Sequence, residues 1–259
     1  MDIRRKFRID KLVNALQNQD KMKISEAAAL LDVSEMTIRR DINSDQKLLK
    51  LLGGYIVCSI SLNQSQNNFY FLSEQENKNV AAKRNIAKKA ATLVNANDTI
   101  FFDSGTTIPF IIHEIDDSLP FTAICYSLHA FLALKQKPNC RVILCGGDFK
   151  SSSHVFIPTL THNEISSIYT NKAFISAAGV CVAKGVTTWV IDEVKVKQMA
   201  MDNTEYSILV VDDEKFDKVR PGYFARLDEF DALITNLLTS TDISHYLSQS
   251  HIQVDITSK

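Results

Sequence analysis

Hydrophobic positions recur at helical intervals through the first 43 residues of the chain. The recurring positions are Ile9, Leu12, Val13 and Leu16 in a first segment, Ala27 and Leu31 in a second, and Ile38 and Ile42 in a third. Because residues three and four apart share one face of a helix, this spacing predicts three short amphipathic helices. The first helix can cover the pair that follows it.

The second and third predicted helices are joined by a short turn. Ser25 and Ser34 stand just ahead of their apolar runs, where we expect them to be N-caps. Asp32 is the expected turn residue, in a left-handed conformation that Asp tolerates at a modest cost. Together these signals predict a helix-turn-helix.

A hairpin is predicted after the third helix. Two apolar runs within residues 47–57 flank Gly53 and Gly54, which is the pattern of a small β-hairpin or wing. Residues 58–77 then shift to Ser, Asn and Gln with weak periodicity, as is typical of a linker. We therefore divide the chain into a winged helix-turn-helix domain (1–57), a linker (58–77) and a larger domain (78–259).

The larger domain alternates apolar strand-like runs with helical stretches. Helices are predicted around Val80–Leu93 and through Ile112, and the predicted strands are Thr99–Phe102, Phe121–Cys125, Arg141–Cys145, Ala173–Ala177, Ser207–Val211 and Ala232–Thr235. Buried strands separated by helices imply an α/β fold with a largely parallel sheet covered on both faces. Such sheets bind ligands at the carboxyl ends of their strands.

Composition and charge narrow the class of protein. The 259 residues are 45% hydrophobic, ample for a sizeable core, and the net charge is −1. Residues 1–57 nevertheless contain eleven Lys and Arg but only eight Asp and Glu, so this N-terminal domain is basic. The five cysteines show no C-x-x-C spacing, and no apolar leader or membrane span is visible, which favours reduced thiols in a soluble, cytoplasmic protein. We expect no metal or cofactor.

The third helix carries polar side chains on its open face. With Ile38 and Ile42 turned inward, the candidate DNA-binding residues on and around this helix are Ser34, Glu35, Thr37, Arg39, Arg40 and Asn43, with Lys47 and Lys50 of the wing available for backbone phosphate. A groove-reading helix needs such donors. The alternative is an ordinary helical hairpin whose arginines are solvated.

Loops after successive strands contain residue types suited to binding a small anion. Asp103–Thr107 places hydroxyls, a glycine and unpaired amides after the first strand, which favours phosphate. The further candidates are Tyr126 and Ser127, Gly146 and Gly147, Gly179 with Lys184 and Gly185, and the i, i+4 pair Glu193 and Lys197. Each alone is more often a capped turn or a solvated helix face. Their recurrence at strand ends supports the joint interpretation.

Three stretches of the sequence are similar to those of a known protein family. Ser34–Asp41, the Gly53-Gly54 wing and Asp103–Thr107 resemble the DeoR family of bacterial transcriptional repressors, over nearly the whole chain. The resemblance implies a winged helix-turn-helix on an effector domain similar to ribose-5-phosphate isomerase. It adds Asp212 and Lys215 to the effector-binding candidates: Asp103, Ser104, Gly105, Thr106, Thr107, Tyr126, Ser127, Gly146, Gly147, Gly179, Lys184, Gly185, Glu193, Lys197, Asp212 and Lys215.

The implied function is repression of genes for deoxyribonucleoside and deoxyribose catabolism. The partners would be operator double-stranded DNA and a sugar-phosphate effector, deoxyribose-5-phosphate, with free deoxyribose and its 1-phosphate as alternatives. One such head makes few base contacts, so we expect a homo-oligomer that reads repeated half-sites. Activation at some promoters is also compatible with these residues.

The main competing hypothesis is a sugar-phosphate isomerase or aldolase-like enzyme with an accessory DNA-binding head. The isomerases carry an acidic Asp-Gly-Ala-Asp-Glu segment where this chain reads Ser176–Val180, Ser-Ala-Ala-Gly-Val. General acid/base chemistry needs a carboxylate within reach of the substrate. We therefore expect binding without turnover. A DNA-binding module without a ligand is a third possibility, which the loops disfavour.

Overall fold

A computed structural model describes residues 3–16, 22–43, 49–52, 54–58 and 78–257. The chain divides into two compact units, Met1–Phe69 and Tyr70–Lys259. Among the described residues, no helix is both long and apolar enough to span a membrane.

The described residues of the first unit form three helices and a three-stranded antiparallel sheet. The helices are α1 (Ile3–Ala15), α2 (Ile24–Leu31) and α3 (Glu35–Asn43), and the strands are β1 (Met22–Lys23), β2 (Leu49–Leu52) and β3 (Tyr55–Cys58), in the order β1-β3-β2. The predicted inward positions Leu12, Ile38 and Ile42 are almost completely buried. The three predicted helices and the hairpin are therefore confirmed. Strand β1 was not predicted, because two residues are too few to show a hydrophobic pattern.

The turn between α2 and α3 follows the prediction closely, but the start of α2 does not. Asp32 has φ 50° and ψ 50°, the left-handed conformation expected of it. The amide of Thr37 donates to Ser34 Oγ at 3.2 Å, so Ser34 caps α3. The predicted cap at Ser25 is wrong, because α2 begins one residue earlier. There the backbone amide of Lys23 donates to the Glu26 carboxylate at 3.1 Å.

The second unit is built on a seven-stranded sheet whose neighbouring strands are all parallel. The order is β15-β14-β12-β9-β4-β5-β6, formed by β4 (Thr99–Phe102), β5 (Phe121–Cys125), β6 (Cys140–Leu144), β9 (Lys172–Ser176), β12 (Ser207–Val210), β14 (Ala232–Thr235) and β15 (Gln253–Ile256). Six of these match the predicted strands to within one residue at each end. The edge strand β15 was not predicted, because half of its residues are polar.

Helices cover both faces of this sheet. They are α4 (Val80–Ala91), α5 (Ile108–Glu114), α6 (Leu128–Leu134), α7 (Glu164–Ser167), α8 (Val194–Asp202) and α9 (Thr241–Ser248). Alternation along each strand sends successive side chains to opposite faces. Phe102 packs in the core beneath α4, α5 and α6, whereas Phe101 packs in the core that contains Val196 of α8 and Ile243 of α9.

Two smaller antiparallel arrangements lie outside the main sheet. One is the hairpin of β7 (Asp148–Lys150) and β8 (Val155–Ile157). The other is the sheet of β10 (Gly179–Cys181), β11 (Gly185–Thr188) and β13 (Gly222–Ala225). Neither was predicted from the sequence. Both follow carboxyl ends of parallel strands, so they add walls to the region where a ligand is expected.

Candidate functional site

A polar pocket of about 650 Å³, including the part open to solvent, lies at the carboxyl ends of β4, β9 and β12. It is lined by residues that follow these strands and by the start of α8: Ser104, Gly105, Thr106, Thr107, Ser153, Ser176, Ala177, Ala178, Thr188, Trp189, Val190, Glu193, Lys197, Val210, Val211, Asp212 and Lys215. Hydroxyls, two lysines and two carboxylates therefore meet in one concave site.

A buried ion pair joins the wall of the pocket to the sheet. Lys197 Nζ lies 2.5 Å from Asp103 Oδ2, and both side chains are at most 2% exposed. The same carboxylate oxygen accepts hydrogen bonds from the Ser176 amide at 2.8 Å and the Ser176 hydroxyl at 2.6 Å. Lys197 also donates to the Ser176 carbonyl at 3.2 Å. Three chain segments are thus fastened together by charge-assisted hydrogen bonds.

The Tyr126 hydroxyl connects this ion pair to a second carboxyl group. It donates to Asp103 Oδ1 at 2.7 Å and lies 3.1 Å from Glu193 Oε2. Ser104 Oγ lies 3.0 Å from the same tyrosine oxygen and donates to Glu193 Oε2 at 2.6 Å. We refer to Asp103, Ser104, Tyr126, Glu193 and Lys197 as the pocket network.

The two carboxyl groups of the network have opposite pKa shifts. Burial alone would raise the pKa of Asp103, but the charge of Lys197 and the hydrogen bonds from Lys197, Ser176 and Tyr126 outweigh it and lower that pKa. Burial raises the pKa of Glu193, and the Asp103 charge adds to the rise. Burial and both carboxylates raise the pKa of Tyr126 well above its ordinary value. The network thus favours the ionised form of Asp103, and it shifts Glu193 toward its protonated form relative to an exposed glutamate.

Gly105 allows the loop after β4 to approach β9. A Cβ atom at this position would overlap the Ser176 side chain, which holds Asp103. Thr106 is partly exposed and Thr107 is buried, and both line the pocket. The loop therefore offers two threonine hydroxyls to the pocket beside a glycine that no larger residue can replace without movement.

The third helix of the first unit presents the predicted polar face. Arg39 and Arg40 are exposed, as are Ser34 and Glu35, and Thr37 is partly exposed. The neighbouring Asp41 is buried and accepts from Arg8 Nε at 2.7 Å. Lys47 and the side chains of Asn43 and Lys50 lie outside the described residues. The part that is described leaves two arginines directed away from the core of their domain.

Both units of the chain match domains of one known protein family. Residues 8–61 match the DeoR-like helix-turn-helix domain, and residues 78–237 match the DeoR C terminal sensor domain. The chain belongs to the DeoR family. It is 45% identical to the deoxyribose operon repressor of Escherichia coli K12, over 98% of this chain and 99% of that protein.

Another repressor and a distant solved structure also match. The lactose phosphotransferase system repressor of Staphylococcus aureus is 30% identical over 88% of this chain and 90% of its own length. Ribose 5-phosphate isomerase A from Neisseria gonorrhoeae is 17% identical, with a TM-score of 0.39 over 53% of each chain, which is too distant to bear on function. The family resemblance expected from the motifs is confirmed, and the repressors are named as regulators rather than enzymes.

The two residues added by the family resemblance lie in the pocket. Asp212 is buried and accepts hydrogen bonds from the Glu214 amide at 3.1 Å and from Asn79 Nδ2 at 3.4 Å. Lys215 Nζ lies 3.8 Å from Asp212 Oδ2, and the Lys215 side chain is 24% exposed. The Lys215 side chain is therefore partly accessible in the pocket.

Eight predicted effector-site residues do not line this pocket. Asp103 and Tyr126 belong to the pocket network, and the other six are Ser127, Gly146, Gly147, Gly179, Lys184 and Gly185. The Ser127 hydroxyl is used as the N-cap of α6, accepting from the Ala130 amide. Gly146 and Gly147 are exposed and lead into the β7–β8 hairpin; Gly147 has φ 149° and no room for a Cβ beside the Ile157 carbonyl. These residues shape turns, which explains them without a ligand.

The other three belong to the β10–β11–β13 sheet. A Cβ on Gly179 would overlap the Lys218 backbone, and Gly185 has φ 74° at the turn into β11. Lys184 is exposed, and together with Gly185 it borders a separate depression with Arg220 and Tyr223. Because these three residues follow the predicted strand Ala173–Ala177, we expected them in a strand-end loop at the ligand site; the β10–β11–β13 sheet that contains them was not predicted.

Several pocket residues were not predicted. Ser176, Thr188, Trp189 and Ser153 all line it. The Arg220 guanidinium carbon lies 4.1 Å from the centre of the Trp189 ring, an ordinary cation–π distance. Ser176 could have been found, since it lies near the end of a predicted strand. Ser153 and Thr188 lie in the two small antiparallel arrangements, and Trp189 directly follows β11.

No group of three or more His, Cys, Asp or Glu side chains suited to a metal ion is present among the residues the structure covers. Cys125, Cys140, Cys145 and Cys181 are free thiols. Burial raises the pKa of Cys145 to about 12 and that of Cys140 to about 11. Thiolate is the metal-binding and reactive form, so these two cysteines are chemically quiet.

Proposed function

We propose that this DeoR-family protein represses genes of deoxyribonucleoside and deoxyribose catabolism and releases its operator when deoxyribose-5-phosphate binds. The observation that carries the proposal is the combination, in one chain, of an arginine-bearing recognition helix and a sensor domain with a polar pocket. The 45% identity to the deoxyribose operon repressor supports the choice of regulated genes and of effector.

DNA reading is assigned to the α3 face. Arg39 and Arg40 supply fork-shaped donors that fit guanine edges or phosphate, and Thr37 lies on the same helix. Ser34, Glu35, Asn43, Lys47 and Lys50 complete the proposed DNA-binding set. Because a single head contacts few bases, the proposal includes a homo-oligomer on repeated or palindromic half-sites, and it places the protein in the cytoplasm with the DNA.

Effector binding is assigned to the pocket. The hydroxyls of Ser104, Thr106 and Thr107 and the ammonium groups of Lys197 and Lys215 suit an anionic, hydroxylated ligand. Asp103, Gly105, Tyr126, Glu193 and Asp212 support or line the same pocket. We retain the division into a DNA-binding domain (1–57), a linker (58–77) and a sensor domain (78–259).

The ligand acts through linkage between the two sites. It can weaken DNA binding only by its differential affinity for the DNA-competent and DNA-released states, and coupling of about 1–3 kcal/mol is usual. The same coupling must appear in both directions. Operator DNA therefore lowers the affinity for effector by the same factor.

The test is a binding cycle with the full chain. Operator DNA selected from a random library is titrated by fluorescence anisotropy in the absence and presence of deoxyribose-5-phosphate, deoxyribose-1-phosphate, free deoxyribose and ribose-5-phosphate. We expect release by deoxyribose-5-phosphate at the lowest concentration, with binding confirmed by calorimetry. Failure of every compound to bind, or binding that leaves operator affinity unchanged, would refute the proposal.

An isomerase-like enzyme is the second candidate, because Glu193 and Lys197 bring a carboxyl and an amine to the pocket. Asp103, however, is committed to an ion pair with Lys197, and the Ser176–Val180 segment supplies no carboxyl group to move a proton. We therefore expect no ribulose-5-phosphate from ribose-5-phosphate. Accumulation of product in proportion to protein concentration would favour the enzyme instead.

A further inference from the structure

A serine in the β7–β8 hairpin combines deep burial with an unused hydroxyl. Ser153 lines the pocket and is 1% exposed, yet its Oγ has no hydrogen-bond partner among the residues that the structure describes. A buried hydroxyl without a partner costs free energy relative to its hydrated state. Such a group is expected to have a function that compensates for the cost.

The backbone around Ser153 is tied to the end of β5. The His154 carbonyl accepts from the Leu128 amide at 2.9 Å, and the Phe156 amide donates to the Tyr126 carbonyl at 2.8 Å. His154 has φ 52°, a left-handed conformation that is uncommon for residues other than glycine. The serine is therefore held on the pocket wall next to the strand end that supplies Tyr126.

The neighbouring serines provide a comparison within the same turn. Ser151 is exposed and Ser152 is half-buried, so three consecutive serines have three different environments. Only the third combines burial with a place on the pocket wall. The sequence could not predict that Ser153 is the buried one, because three identical neighbouring residues do not indicate which of them faces inward.

We propose that the Ser153 hydroxyl donates a hydrogen bond to an oxygen of the bound effector. This inference rests on the proposed function, in which the pocket takes a sugar phosphate, and it adds a specific contact to that site. Sugar hydroxyls and phosphate oxygens both accept such a bond. A donor whose backbone is already fixed loses little freedom on binding, so the contact contributes to affinity rather than only to shape.

The test compares Ser153→Ala with Ser151→Ala in the full-length protein. Deoxyribose-5-phosphate is titrated by calorimetry and by operator release, with deoxyribose-1-phosphate and ribose-5-phosphate alongside. We expect Ser153→Ala to bind deoxyribose-5-phosphate about 5- to 50-fold more weakly than the wild type. Ser151→Ala should match the wild type, and both variants should keep wild-type operator affinity.

Thermal unfolding separates this role from a structural one. Removal of an unpartnered buried hydroxyl should leave the ligand-free melting temperature unchanged or higher, whereas the rise produced by the effector should shrink. A serine needed for folding would instead lower the ligand-free melting temperature. Repeating the titration with inorganic phosphate assigns the acceptor: a loss there points to the phosphate group, and no loss points to the sugar.

The outcomes distinguish the inference from the proposed function. Equal effector affinity in Ser153→Ala and the wild type, or a lower ligand-free melting temperature with unchanged affinity, would overturn the role of Ser153 alone. Absence of binding by the wild type to every sugar phosphate would overturn the proposed function and this inference together.

Discussion

The polar residues of α3 and those of the sensor pocket follow opposite physical rules. On α3 the arginines 39 and 40 are exposed, and helical periodicity alone places them outward. In the pocket, Asp103 and Lys197 are buried and paired with each other. The arginines of α3 stay hydrated until DNA binds. Asp103 and Lys197, in contrast, lose their hydration when the chain folds.

Because of this difference in burial, we expect mutations in the two regions to have different consequences. Loss of an exposed charge on α3 should reduce binding and leave folding unchanged, because surface charges contribute little to stability. Loss of a buried charge in the pocket should damage folding first, because its partner is left without compensation.

Lys197→Met should destabilise the sensor domain by about 3–5 kcal/mol, since it leaves the Asp103 carboxylate buried without its cation. Chemical denaturation followed by the fluorescence of Trp189, the single tryptophan of the chain, measures this domain directly. The matched control is Lys195→Met, which removes an exposed lysine from the same helix. If the two variants had similar unfolding midpoints, the buried charge of Lys197 would matter no more for stability than the exposed charge of Lys195, and the prediction would be wrong.

Gly105→Val should abolish the response to deoxyribose-5-phosphate and spare operator binding. The added side chain overlaps Ser176, and overpacking of this kind costs about 1–3 kcal/mol. Gly146→Val is the control, because no atom lies within 4 Å of a Cβ built there. Operator release is measured by anisotropy. A Gly105→Val protein that releases DNA at the wild-type effector concentration would remove this loop from the site.

Arg40→Ala should weaken operator binding by about 1–3 kcal/mol if the guanidinium contacts a base. The melting of the sensor domain should not change. Lys11→Ala removes an exposed charge from α1 and controls for the general loss of positive charge, with all titrations at one salt concentration. If the two variants lose affinity equally, Arg40 supplies only charge and does not read bases.

The same contrast explains what the sequence could predict. Six parallel strands were predicted because buried strands form short apolar runs, and the α3 face because burial of Ile38 and Ile42 leaves Arg39 and Arg40 outside. Asp103–Thr107 was predicted because it directly follows a strand. These are local signals, and each needs only a few neighbouring residues.

The pocket network was predicted only as separate pieces. Asp103 and Lys197 are 94 positions apart, and their pairing depends on how α8 packs against the sheet, which local periodicity does not determine. Gly146 and Gly147 were grouped with the pocket because a glycine pair after a strand suits both a turn and a ligand. The expected lack of carboxylates at Ser176–Val180 was accurate for that segment, but Asp103 and Glu193 reach the site from elsewhere.

Glu193→Gln should change how stability depends on pH, which is the smallest of these effects. Because burial raises the pKa of Glu193 in the folded state, the folded protein binds more protons than the unfolded chain above the ordinary pKa of 4.5. The contribution of Glu193 to the free energy of unfolding is therefore greatest at low pH. It falls as the pH rises through the folded-state pKa, by at most about 1.4 kcal/mol per pH unit.

A glutamine does not ionise but keeps a carbonyl that accepts from Ser104, so the variant lacks this slope. In the pH window above the ordinary pKa of 4.5, the stability of Glu193→Gln should rise relative to the wild type as the pH increases, measured by denaturant titration at each pH. Asp103, with a lowered pKa, titrates below this window, and Glu205→Gln provides an exposed control. Parallel pH profiles for the wild type and Glu193→Gln would mean that Glu193 is ionised beside Asp103. The network would then carry a net negative charge, which would oppose the binding of any phosphate.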